Sequence, residues 1–170
     1  MKHASLFLLL TSPLWAQPSV DWEKQKTEIL KHYRDLIRID TRAGNETKPV
    51  EYIRQVLESE GIPSKTFALD PARANIVARL KGNGSKKPVL ILAHTDVVGV
   101  QKEKWPVDPF GALIKDGYVW GRGSVDDKPV LAANLMTILL LKRNHVPLDR
   151  DVVFLAESGE EADTTGVGTW

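Results

Sequence analysis

The apolar positions of this chain change their period along its length. Trp22, Ile29, Leu30, Tyr33, Leu36 and Ile37 recur at helical spacing, and so do Val50, Ile53, Val56 and Leu57 ahead of Gly61, so two amphipathic helices are predicted first. Short strand-like runs follow at 64–69 (SKTFAL), 74–80 (ANIVARL) and 88–94 (PVLILAH), each bounded by Pro, Gly or Asn. Between the last two, KGNGSKK at 81–87 has the Gly, Asn and Ser of a solvated hairpin turn. Residues 112–121 (ALIKDGYVWG) predict a second hairpin turning at Asp116 and Gly117. Residues 131–144 are helical in composition, and 151–158 (DVVFLAES) read as a buried strand. Strand, helix and strand alternate, which predicts an α/β architecture with a mixed sheet.

Polar residues stand where three of these apolar runs end. Val89 to Leu92 read as core, and the run closes on His94 and Asp96. Residues two apart on an extended segment project to the same side, so this imidazole and carboxylate point together, as in a metal-ligating histidine and the group that fixes its tautomer. GRGSVDDK carries Asp126 and Asp127 between the hairpin and the next helix, and ESGEE carries Glu160 and Glu161 beyond the last strand. Adjacent like charges repel, and a divalent cation makes each pair tolerable, with one carboxylate binding the metal and its neighbour free to act on water.

Each cluster has a plain alternative. A lone His at a strand end is commonly hydrogen-bonded or solvent-facing, DD before a helix can be an N-cap with a first-turn acid, and EE in a loop is ordinary solvated charge. Their occurrence in order, each after a strand-like element, favours the metal reading. GRGS lacks the third glycine of a dinucleotide fingerprint and the ending of a P-loop, and no nucleophile elbow is present.

Composition narrows the chemistry. An apolar fraction of 42% with 26% charged residues is that of a globular protein, and a net charge of +1 with no clustered cationic surface argues against nucleic acid as a partner. With no cysteine, any metal is held by His and carboxylate, a set compatible with zinc and, less specifically, with Mn2+ or Co2+. Lys2, the apolar Leu6–Leu10, Pro13 and Ala16 follow the order of a secretory signal, so residues 1–16 are expected to be a signal peptide, 17–170 the mature chain, and the protein secreted or periplasmic. That apolar run is too short to span a membrane. The last residues form a polar, Gly-rich stretch where a sheet of this type would continue, so the sequence is expected to be incomplete.

AHTDVV, the Trp105 to Phe110 motif W-x-x-DPF, DGYVWGRGSVDDK and ESGEE together resemble the N-terminal part of the catalytic domain of the peptidase M20 family, a group of dizinc carboxypeptidases, dipeptidases and N-acyl amino-acid deacylases. The resemblance covers roughly residues 25 to 170. It implies that His94 ligates one Zn2+, Asp126 bridges two, Glu161 ligates the second, Asp96 orients His94 and Glu160 is the general base. It also implies a cis peptide between Asp126 and Asp127, and a mixed-sheet zinc-peptidase-like domain truncated at its C-terminal side. The activity implied is hydrolysis of a peptide or N-acyl amide bond by a metal-activated water, with a homodimer possible for the full-length protein. Pro129 departs from the small or polar residue usual after DDK, though the start of a helix tolerates proline. The remaining ligands of the family lie beyond Trp170, which leaves half a site here and keeps a second reading open: a truncated, non-catalytic domain. A dizinc aminopeptidase of a related branch is a third.

Overall fold

The computed structural model describes residues 20–161, and the expected signal segment 1–16 lies outside them. Helix α1 (Trp22–Arg38) starts at Asp21, whose carboxylate accepts from the Lys24 N–H at 3.3 Å and caps the first turn. Helix α2 (Thr47–Ser59) buries Val50, Ile53 and Leu57 and stops before Gly61, whose φ of 64° continues no helix. Strands β1 (Ser64–Phe67), β2 (Asn75–Leu80) and β3 (Val89–His94) follow. The expected hairpin is β4 (Leu113–Lys115) with β5 (Tyr118–Trp120), and its turn places both Asp116 (φ 55°) and Gly117 (φ 81°) in the left-handed region. Helix α3 (Lys128–Arg143) starts three residues before the apolar pattern suggests. Pro129 sits in its first turn, where no N–H is required.

Strand β6 (Val152–Glu157) completes a four-stranded sheet of order β1-β2-β6-β3, with β6 antiparallel to β2 and parallel to β3. The α/β architecture with a mixed sheet is as expected. The 81–87 turn is not, because β6 lies between the two strands that it was to join as a hairpin. Residues of 82–86 instead bond the approach to β6: Asn83 N–H donates to Leu148 O at 2.9 Å and Lys86 N–H to Asp149 O at 3.0 Å. The physical reason is burial. β6 is the most thoroughly buried strand and takes a central place.

Register pairs Ile76 with Ala156, Ala78 with Phe154, Ile91 with Phe154 and Ala93 with Ala156, so these side chains share one face. That face joins Leu36 of α1, Val50, Ile53 and Leu57 of α2, and Leu131, Leu135 and Leu139 of α3 in a single core. The opposite face differs from expectation. Leu90 and Leu92, read as core, are exposed (Leu90 by 55%), because among the described residues every helix packs on the other side; Val89, also read as core and on the helix side, is exposed at the start of this edge strand. Among the described residues no helix is long and apolar enough to cross a membrane.

Candidate metal centre

The topology explains why three motifs far apart in sequence meet. β3 and β6 run parallel, so their C-terminal ends lie side by side, with His94 in register with Glu157 and the Thr95 N–H donating to Glu157 O at 2.7 Å. The helix that connects them, α3, returns antiparallel to the strands, which brings its N-terminus to that same end. The crevice beyond the carboxyl ends of parallel strands is where α/β sheets present binding groups. Here it receives His94 and Asp96 from β3, Asp126 and Asp127 from the start of α3, and Glu160 and Glu161 from beyond β6.

One ligand atom each from His94, Asp126 and Glu161 lie within 4.8 Å of one another. His94 Nε2 is 2.9 Å from Asp126 Oδ1, and Nδ1 faces the backbone oxygen of Asp96 at 3.1 Å and its Oδ1 at 3.6 Å. His94 and Asp96 are buried, whereas Asp126 is exposed. Asp96 has a second contact that its spacing from His94 did not suggest. Its carboxylate accepts from the Glu160 N–H at 3.2 Å and the Glu161 N–H at 2.9 Å, which ties the ESGEE turn to the end of β3. Glu160 is half exposed, with Oε2 4.0 Å from His94 Nε2.

Charge crowding is visible in the ionisation of these groups. Burial pushes the His94 pKa down, but Asp96 and Asp126 overcome it and hold the imidazole at about 9. Burial pushes Asp96 up, and the His94 ring with the two backbone N–H groups outweighs it, leaving this carboxyl below its ordinary value. Burial raises Glu161, with Asp126 adding to the effect, and burial likewise raises Asp127 and Glu157. A cluster of acids that already favours a proton on its one imidazole is a favourable place for a divalent cation. The donors, one imidazole and carboxylates, fit zinc, and the three side chains meet without rearrangement of any element.

The loop around Asp126 depends on two glycines of GRGS. A Cβ at Gly121 would lie 2.4 Å from Ile37 Cγ2, and at Gly123, with φ 82°, it would lie 2.8 Å from Val97 Cγ1 and 3.0 Å from Lys128 Cγ. The W-x-x-DPF motif holds the same loop: Arg122 N–H donates to Pro109 O at 2.7 Å, and its guanidinium lies 5.3 Å from the Trp105 ring centre. The peptide between Asp126 and Asp127 is cis. Asp127 occupies the N-cap position of α3 but its side chain does not cap, lying instead 3.4 Å from the His94 N–H. Two buried groups of the site have no role in the sequence reading. Lys128 is 1% exposed, its Nζ bonded to Thr41 Oγ1 and Thr95 O, and burial pulls its pKa down to about 7. Glu157, the first acid of its motif, is buried opposite His94. Lys128 stands within DGYVWGRGSVDDK, yet nothing in a sequence marks a lysine as buried, since lysines are overwhelmingly exposed.

Residues 90–169 match the model of peptidase family M20/M25/M40. The chain is 33% identical over 146 residues to a probable succinyl-diaminopimelate desuccinylase of Staphylococcus epidermidis, a match that covers 85% of this chain and 35% of that protein. Among solved structures, a tripeptidase of Staphylococcus aureus superposes with a TM-score of 0.67 at 25% identity, over 85% of this chain and 39% of the other. A Bacillus subtilis protein described as a dinuclear metal-binding peptidase of the M20 family superposes with a TM-score of 0.60 at 22% identity, over 83% and 37%. The chain spans about a third of the length of the curated relatives it matches.

Proposed function

We propose that this chain, whose residues 90–169 match the model of peptidase family M20/M25/M40, builds one side of the metal centre of a hydrolase that cleaves a peptide or N-acyl amide bond. The observation that carries the reading is the meeting of His94, Asp126 and Glu161 donors within 4.8 Å at the carboxyl ends of β3 and β6. In the proposed arrangement His94 would hold one cation and Glu161 a second, with Asp126 contributing to both. Zinc at these positions would lower the pKa of a water toward neutrality and polarise the scissile carbonyl.

The remaining work falls to protein groups. Asp96 fixes the His94 ring from the Nδ1 side through its backbone oxygen, with its carboxylate 3.6 Å away, and that carboxylate holds the backbone of Glu160 and Glu161, so one residue sets two of the donors. Glu160 is the general base: its carboxylate is solvent-facing and free to take a proton on attack and return it to the leaving nitrogen. The relatives' described activities, a desuccinylase and a tripeptidase, support an amide or peptide substrate class. Export is part of the proposal, supported by the order of Lys2, Leu6–Leu10, Pro13 and Ala16.

A second reading, a metallopeptidase-like but non-catalytic domain, is favoured by the donor count: among the described residues His94, Asp126 and Glu161 supply three donors for two cations. Metal analysis with a panel of peptides and N-acyl amino acids separates the two. The hydrolase reading expects turnover that Glu160→Ala abolishes while metal is retained, and metal loss in Asp126→Ala. Turnover at the wild-type rate in Glu160→Ala would sink the assignment of the base, and metal bound without any turnover would favour the second reading.

A further inference from the structure

We propose that Lys128 and Thr41 are positioning residues of the metal centre, a buried strut that sets the spacing between the His94 end of β3 and the Asp126–Asp127 turn. This rests on the metal reading above, and it concerns residues that contribute no metal donor to it.

Lys128 is among the largest of the fully buried side chains, and among the described residues the carboxylates that act on it, Asp96, Asp127 and Asp40, do so without a direct ion pair to its Nζ. A lysine taken out of water is costly unless its N–H groups find acceptors, so a buried one with two defined partners marks a geometric requirement that Met or Leu of similar volume would not meet. Its partners come from two other parts of the chain: Thr41 Oγ1 at 2.9 Å, in the segment after α1, and Thr95 O at 2.5 Å, between His94 and Asp96.

Thr95 is thereby held from both sides. Its N–H and hydroxyl donate to Glu157 O at 2.7 and 2.9 Å, and its carbonyl accepts from Lys128. Thr41, fully buried, also takes the Val97 N–H on its backbone oxygen at 3.2 Å, so it grips the two residues flanking Asp96 indirectly and directly. At the other end of the stem, Lys128 N–H donates to Gly123 O at 3.2 Å, and the absence of a Cβ at Gly123 leaves room for the Lys128 chain. The strut therefore runs from the turn that carries Asp126 to the strand end that carries His94. Removing it frees each to move relative to the other without touching a donor atom.

The test is a cobalt(II) titration of the 170-residue chain, read by visible absorption, for wild type, Lys128→Met, Thr41→Val, His94→Ala and the core control Ile53→Val, with thermal melts alongside. The expected result is a loss of Co2+ affinity of about 10-fold or more in Lys128→Met, of the size seen when groups that orient metal ligands are removed, with an altered absorption band. Thr41→Val, which deletes one hydroxyl and preserves shape, shifts affinity and band in the same direction and keeps the test alive if Lys128→Met does not fold. Ile53→Val lowers the melting temperature and leaves affinity and band unchanged, which separates positioning from loss of stability. Wild-type affinity and an unchanged band in both strut variants, with binding lost in His94→Ala, would overturn the inference while leaving the metal reading intact. A wild-type chain that binds no Co2+, or binds it as well as His94→Ala does, would contradict the metal reading and the strut with it.

Discussion

At the scale of single residues, the site depends on a few close approaches. Gly123 and Gly117 both have φ near 80°, but a Cβ at Gly123 would lie 2.8 Å from Val97 Cγ1, whereas none would meet anything within 4 Å at Gly117. Gly117→Ala should therefore cost only the left-handed backbone term, about 1 kcal/mol, and Gly123→Ala distinctly more, up to about 3 kcal/mol, with metal affinity falling too. Urea denaturation of the two variants measures the difference, and equal losses would show that the crowding at Gly123 is relieved easily. Away from the site, Arg143 donates to both oxygens of Glu28 (2.7 and 2.8 Å) and of Glu60 (3.1 and 2.7 Å), joining α3 to α1 and to the end of α2. The guanidinium hydrogen bonds hold both carboxyls below the ordinary value of 4.5. A depressed carboxyl contributes stability that is present above the unfolded pKa and lost as pH falls through the folded one. Arg143→Gln should therefore lower stability at pH 7, by on the order of 1 kcal/mol given the partial exposure of all three groups, and the gap from wild type should narrow as pH falls below 4.5. Melts at pH 7 and pH 3.5 test the sign; a gap that widens in acid would refute it.

At the scale of elements, the two faces of the sheet carry different weight. Phe154 is fully buried on the helix side of β6, and Phe154→Ala should cost about 3–5 kcal/mol. Leu90 is a large apolar residue of the neighbouring strand, yet it is more than half exposed, and Leu90→Thr should change stability by no more than about 0.5 kcal/mol while reducing self-association, since an exposed apolar edge strand invites pairing. Equilibrium denaturation and light scattering of the pair check this, and a large loss in Leu90→Thr would mean that the outer face is covered in solution. These two residues also show what the sequence could disclose. Periodicity revealed that 88–94 and 151–158 are strands and that α1, α2 and α3 are helices, because each pattern reports on its own element. It could not reveal that β6 inserts between β2 and β3, since an apolar run marks a strand and not which neighbours pair with it, nor, as Leu90 shows, whether both of its faces are covered. The 81–87 turn residues misled for the same reason: Gly and Asn signal a reversal, and the reversal there carries the chain past the approach to β6 before it reaches β3. The apolar run suggests a start at 131, and the first turn of α3, with Lys128 and Pro129, precedes it.

At the scale of the whole molecule, the parallel pair β3–β6 and the antiparallel return of α3 bring positions 94, 126 and 161 to one end of one sheet. The three acidic or imidazole-bearing motifs were legible because their residue types stood out against apolar runs. The groups beneath them were not, because Lys128, Thr41 and Glu157 become distinctive only once burial is known. Asp96 was legible as a neighbour of His94 and not as the acceptor for two N–H groups from 160 and 161, a contact made only when the strand ends align. The most direct measurement of the metal reading is zinc K-edge X-ray absorption on the chain loaded with one equivalent of Zn2+, beside His94→Ala. The expected spectrum has a first shell of nitrogen and oxygen at about 2.0–2.2 Å, with the outer-shell scattering of one imidazole that disappears in the variant. Failure of the chain to retain zinc, or a spectrum that the loss of His94 leaves unchanged, would contradict the convergence of these side chains on a cation.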